Sequence, residues 1–189
     1  DAVMLLSAGF YGATPIHAAC ELGKGVYCAA TIDLAANEAT ELKDRVKESG
    51  IAFMAEFPCR WSPATLRLKE LIATRLGKPK LLFMNRRRTV PSDRAKGDRC
   101  VRDLVELVDW CRYVVDMEPT SLTATSHCLE ANQHDFFSVS LDFSSPENAN
   151  TGPLAVISCG DYVPDALKES LAYRRPAHLK VVCENGIAF

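Results

Sequence analysis

Nothing in these 189 residues approaches the roughly 18 consecutive apolar positions that carry a helix across a bilayer. The opening DAVMLLSAG has no basic residues ahead of its apolar stretch, so it does not read as a secretory signal. Excess positive charge is missing too: 22 Lys and Arg stand against 24 Asp and Glu, which argues against a general nucleic-acid binder. The eight cysteines contain no Cys-x-x-Cys pair, and the four histidines converge on no zinc pattern. There is no Gly-x-Ser-x-Gly elbow for a hydrolytic serine. A complete Gly-x-Gly-x-x-Gly is absent as well; the nearest stretch, Gly9-Phe10-Tyr11-Gly12, holds two glycines.

What is present is a globular balance, 48% hydrophobic and 24% charged, which suffices for a packed core. The cysteines fall largely within apolar runs, where a free thiol behaves as a small hydrophobe, and this points to reduced side chains and the cytoplasm. The chain opens at Asp1 directly in a strand-like run, so further residues are expected upstream.

Residues 2–7, 25–30 and 51–57 are short continuous apolar runs that predict strands buried on both faces. Between them, helices are predicted at 14–22, capped by Thr14 with Pro15 following, and at 38–48, capped by Asn37 and stopped by Gly50. The β-α-β-α-β order implies a parallel sheet with right-handed crossovers. Beyond it come a helix from Ser62-Pro63 to about 74, a strand at 79–87, a polar loop at 89–98 and a long helix at 99–115. Four strand-like runs follow at 120–128, 135–143, 153–159 and 177–184, with a flexible segment expected at 144–153. Phe137, Val139, Leu141 and Phe143 alternate with Ser138, Ser140 and Asp142, as in an antiparallel strand with one wet face. The fold class is thus α/β followed by α+β: part of a parallel sheet, then a domain with an open, mainly antiparallel sheet.

The stretches AACELGKGVYC (18–28), GIAFMAEF (50–57), CRWSP (59–63) and LKELIATRLGKPK (68–80) resemble the Gfo/Idh/MocA oxidoreductases, the glucose-fructose oxidoreductase and inositol dehydrogenase group. The resemblance spans nearly the whole chain. It implies the C-terminal half of a Rossmann-like dinucleotide-binding domain at 1–57 and a substrate and oligomerisation domain at 58–189. It implies NAD or NADP as cofactor, a sugar, polyol or related hydroxy compound as substrate, and a homo-oligomer built through the C-terminal sheet. Gly9, Gly12, Cys28 and Ala30 take the cofactor-side positions.

This sequence departs from the family at its chemistry. The family's Cys-Glu-Lys-Pro segment reads Cys28-Ala29-Ala30-Thr31, so Ala30 stands where the family has its lysine. The signature Asp-x-Gly-x-His-x-x-Asp reads Arg102-x-Leu104-x-Glu106-x-x-Asp109, with Glu106 in place of the histidine. Glu106 is then the candidate acid/base and Asp109 its orienter. Arg102, Glu106, Asp109 and Tyr113 share one helix face, which lines a substrate cleft or is a solvated face with an Arg102–Glu106 ion pair.

Residues 86–102 hold seven basic side chains against two acidic ones. Alternation sends Arg86 and Arg88 to one face of the strand and Arg87 to the other. That cluster is an anion site for a substrate or a charged edge facing a partner subunit. Arg60, within a matching motif, joins Arg86, Arg88 and Arg102 as a substrate-side candidate. Two functions remain open: an oxidoreductase with altered catalytic positions, or a catalytically silent binding and oligomerisation module on the same fold. No metal, membrane or nucleic-acid partner is expected.

Overall fold

The computed structural model describes residues 1–7, 11–29, 32, 34–89, 99–128, 135–145, 147, 151–163 and 177–189. They divide into two compact units, Asp1–Pro58 and Cys59–Phe189.

The first unit is a three-stranded parallel sheet, β1 (Ala2–Leu5), β2 (Gly25–Cys28) and β3 (Phe53–Ala55), with α1 (Thr14–Glu21) and α2 (Ala36–Ser49) as its crossovers. Val3 pairs with Val26 and Leu5 with Cys28, so these four share a face. That face packs on Ile16, Ala19 and Cys20 of α1 and Leu42 of α2. On the other face Met4 and Met54 remain 66% and 45% exposed. The expected burial on both faces is therefore corrected: the strands run in sequential order and both helices land on one side.

Helix starts differ from expectation as well. Thr14 is the first helical residue of α1, not its cap, because the turn closes one residue earlier through Thr14 N–H on the Tyr11 carbonyl. Gly12 makes that turn with φ +51°. In α2 the helix starts at Ala36, ahead of Asn37; the Glu38 carboxylate accepts the Ala35 N–H at 2.9 Å and satisfies one of the orphan donors. Gly50, in the left-handed region at φ +64°, ends α2 as predicted.

A 3-10 turn, Pro58–Trp61, starts at the last residue of the first unit and leads into the second, where α3 (Pro63–Leu71) follows. The Ser62 hydroxyl caps α3 by accepting the Thr65 N–H. A π-helical turn, Ile72–Leu76, runs to Gly77. Then come β4 (Pro79–Thr89), α4 (Arg99–Val115), β5 (Ser121–His127), β6 (Phe136–Asp142), β7 (Leu154–Val163), β8 (Ala177–Cys183) and a two-residue β9 (Ile187–Ala188) that the sequence pattern had not indicated.

The sheet order is β5-β6-β7-β4-β8-β9, antiparallel except for the central β4–β7 pair, which is parallel. That pair forms because α4, β5 and β6 intervene and return the chain to run beside β4 in the same direction. One sheet face, with Leu82, Met84, Val139, Leu141, Ala155 and Ile157, packs on Leu107, Trp110, Cys111 and Val114 of α4. The opposite face is open, with Leu81, Phe83, Leu154 and Ile187 between 37% and 51% exposed. No disulfide joins the eight cysteines, and among the described residues no helix is long and apolar enough to cross a membrane.

Gly160 of β7 pairs with Phe136, and a Cβ there would stand 2.4 Å from the Asp135 carbonyl oxygen. Gly160→Ala is predicted to cost about 1–3 kcal/mol through overpacking. A urea melt with an unshifted midpoint would refute that.

Candidate functional site

The site is built where β4 faces α4. Strand alternation puts Arg86 and Arg88 on the same side as Leu82 and Met84, hence under α4, while Arg87 lies on the open face and donates from Nε to Asn85 Oδ1 at 3.0 Å. Two guanidinium groups directed at a packed helix need carboxylates, since an unpaired buried charge is very costly. The helix supplies Asp103, Glu106 and Asp109 at spacings of three along one face.

Arg86 donates from Nη1 to Asp103 Oδ1 at 2.8 Å and to Glu106 Oε2 at 2.9 Å. Arg88 donates from Nη2 to the same Asp103 oxygen at 2.5 Å. Asp103 is therefore the hub of the cluster, with its side chain 6% exposed, against 29% for Glu106. Burial works against the Arg86 charge, but the bonds to Glu106 and Asp103 outweigh it and hold the guanidinium pKa above its ordinary value. The thiol of Cys59 lies 3.9 Å from Arg86 Nη2, which brings the 3-10 turn against the cluster.

From that turn Arg60 makes a two-pronged pair with Asp109, Nε to Oδ2 at 2.7 Å and Nη2 to Oδ1 at 2.5 Å. The Asp109 side chain is 4% exposed, and its bond raises the Arg60 pKa. The Arg60 guanidinium also lies 5.3 Å from the Tyr113 ring centre, with Lys69 Nζ 5.2 Å from it. One turn along, Trp110 Nε1 donates to the Thr65 hydroxyl at 2.8 Å, tying α4 to α3.

At the start of α4, Cys100 and Cys159 are buried with their sulfurs 4.0 Å apart. The contact with Cys159 and burial push the Cys100 thiol up, while burial alone takes Cys111 up to about 12. Cys100 and Cys111 are therefore packing groups held as neutral thiols at neutral pH, while the contact with Cys100 moves the Cys159 pKa the other way.

The sequence-predicted residues are distributed unevenly. Arg60, Arg86, Arg88, Glu106 and Asp109 are brought into one ionic network. Arg102 is exposed and does not make the expected pair with Glu106, which bonds Arg86 instead. Of the two readings of this helix face, cleft lining or solvated face, the solvated one is corrected at Asp109, which is buried against Arg60. Asp103 was missed, because the helical pattern placed attention on the motif positions; three acids at i, i+3 and i+6 opposite a strand with two inward arginines was the usable signal.

In the first unit, Cys28 is 5% exposed and packs in the core with Leu5 and Val26. Gly9 and Ala30 lie outside the described residues. Gly12 is required by its positive φ and not by a close neighbour, since a Cβ there meets nothing within 4 Å. The first N–H groups of α1 are satisfied locally by the carbonyls of Tyr11 and Ala13. These groups do not amount to a pyrophosphate cradle, which needs a close glycine approach and free helix N–H donors. Among the described residues no cluster of His, Cys, Asp and Glu could hold a metal ion.

No family model matches the chain, and no curated protein matches it. Solved structures do. One assigned as a myo-inositol dehydrogenase of Sinorhizobium meliloti 1021 superposes with a TM-score of 0.78 at 22% identity, over 100% of this chain and 56% of its own. The UDP-N-acetylglucosamine 3-dehydrogenase GnnA of Acidithiobacillus ferrooxidans gives 0.71 at 17% identity, over 97% and 55%. GenD2 of gentamicin A biosynthesis, solved in complex with NAD, gives 0.67 at 21% identity, over 92% and 49%. The fold is that of Gfo/Idh/MocA-type dehydrogenases, matched along the whole chain, and the chain spans about half the length of the structures it matches.

Removing Arg60 leaves the Asp109 carboxylate buried, with Arg112 Nη1 3.8 Å away. Arg60→Ala is predicted to destabilise by about 3 kcal/mol. Arg112→Ala, which mainly loses an exposed pair with Glu118, should cost less than about 1 kcal/mol. Equal costs in urea unfolding at neutral pH would contradict this ranking.

Proposed function

We propose that this chain provides the substrate side of an oxidoreductase acting on a hydroxyl of a sugar, polyol or related compound, with NAD or NADP as the cofactor that the resemblance implies. The observation that carries this reading is the difference among the three carboxylates of α4. Asp103 and Asp109 are buried and held by arginines, whereas Glu106 keeps 29% of its side chain open to solvent at the position where the family has its acid/base. A carboxylate oriented by one arginine bond and open to solvent can take the proton of a substrate hydroxyl. Asp109, fixed by Arg60, holds the helix face in place, and Arg88, 36% exposed, stands at the rim of the cluster.

A second reading, a silent binding and oligomerisation module, is favoured by the commitment of all three carboxylates to arginines and by Ala30 at the family's lysine position. In either case the open sheet face, with Leu81, Phe83, Leu154 and Ile187 exposed, supports self-association. A reducing cytoplasm suits the eight free cysteines.

Titration with NADH, followed by fluorescence, and turnover assays with NAD and myo-inositol or UDP-N-acetylglucosamine separate the two readings. In the enzyme reading Glu106→Gln lowers kcat at least about 100-fold with the melting temperature unchanged. Full turnover in that variant would exclude Glu106 from the chemistry, and absence of both NADH binding and turnover in the whole protein that carries this chain would favour the silent module. Phe83→Asp is expected to lower the sedimenting mass if the open face joins copies; an unchanged mass would point elsewhere.

A further inference from the structure

We infer that Asp103, a residue outside the family's signature positions, is a positioning residue that sets the orientation of Glu106 through Arg86; the inference rests on the enzyme reading above. Glu106 is on the exposed side of the cluster and receives its bond from Arg86 Nη1. A lone arginine there would be free to rotate and to follow Glu106 toward solvent. Asp103 removes that freedom. Its buried Oδ1 takes the same Nη1 at 2.8 Å, so a single nitrogen is fixed between two carboxylates one helical turn apart. Arg88 Nη2 donates to that same Asp103 oxygen at 2.5 Å, which completes a chain Arg88–Asp103–Arg86–Glu106.

The order of burial fits this assignment. Side-chain exposure rises from 6% at Asp103 to 16% at Arg86 and 29% at Glu106, so orientation passes from the rigid interior to the group that meets substrate. Charge fits it as well. Two arginines and two carboxylates balance, so the cluster carries no surplus positive charge to capture an anionic substrate, and Arg86 is occupied as a structural clamp. The two N–H bonds of Nη1 are fixed in the guanidinium plane, whereas an ammonium could bond both carboxylates but its three donors rotate about the Cε–Nζ bond and set no direction.

The test uses the chain labelled with 15N-arginine and reads rotation about the Arg86 Nε–Cζ bond. In the unaltered protein the Arg86 Nη1 and Nη2 resonances should be resolved, because one nitrogen is pinned; averaged resonances would overturn the inference without recourse to any variant. In Asp103→Asn they should merge, whereas in Arg88→Gln they should stay resolved. Unchanged Arg86 resonances in Asp103→Asn would also overturn it. In the assay, Asp103→Asn and Arg86→Lys should each lower kcat roughly tenfold with KM unchanged, on the scale of one hydrogen bond to a charged group. A loss confined to KM, or none, would refute the positioning role. If the whole protein that carries this chain shows no turnover, the enzyme reading falls, while the resonances still decide whether Asp103 governs Arg86.

Discussion

The organisation of the second unit follows from one electrostatic demand: β4 directs two arginines into the layer between its sheet and α4. A guanidinium placed there is tolerated only with carboxylates in bonding distance. Because α4 offers an acidic face at three-residue spacing and an apolar face beside it, the helix can sit with Leu107, Cys111 and Val114 on the core and Asp103 and Glu106 on Arg86. Rotating the helix by a third of a turn would expose the apolar stripe and leave the arginines unpaired. Packing and charge thus select the same orientation.

The remainder of the site is fixed by that choice. Once α4 is set, Asp109 points toward the 3-10 turn, and Arg60 closes on it with both prongs. Trp110 reaches Thr65, whose hydroxyl also accepts the Ser62 hydroxyl at 2.9 Å, so the cap of α3 and the side of α4 share one hydrogen-bond chain. Of the three α4 carboxylates Glu106 is the one left partly open, because it lies where the layer between helix and strand meets solvent. One accessible carboxylate among two buried ones is the observation on which the reactive role proposed for Glu106 rests.

Much of the fold was legible. Apolar runs separated by helical periodicity located β1 to β3 with α1 and α2, and alternation in β6 identified its wet and dry faces. The misreadings have local causes. Ala35 and Ala13 are poor caps by type, so Asn37 and Thr14 drew the helix starts inward; backbone turns and the Glu38 carboxylate did the capping instead. β9 is two residues long and exists only through its pairing with Val181 and Val182. Burial of the first sheet on both faces could not be inferred from apolar strands alone, because the strand order decides where the helices pack.

By itself the sequence determined which residues could share a face: period two put Arg86 beside Arg88 and apart from Arg87, and helical spacing aligned three acids of α4. Those are properties of local geometry, independent of what lies opposite. Tertiary structure decided the partners. Arg86 meets residues 17 and 20 positions away, and Arg60 meets one 49 positions away. Arg102 and Glu106, neighbours on the helix, do not pair, since a nearby exposed arginine offers less to a half-buried carboxylate than a desolvated one fixed across the layer.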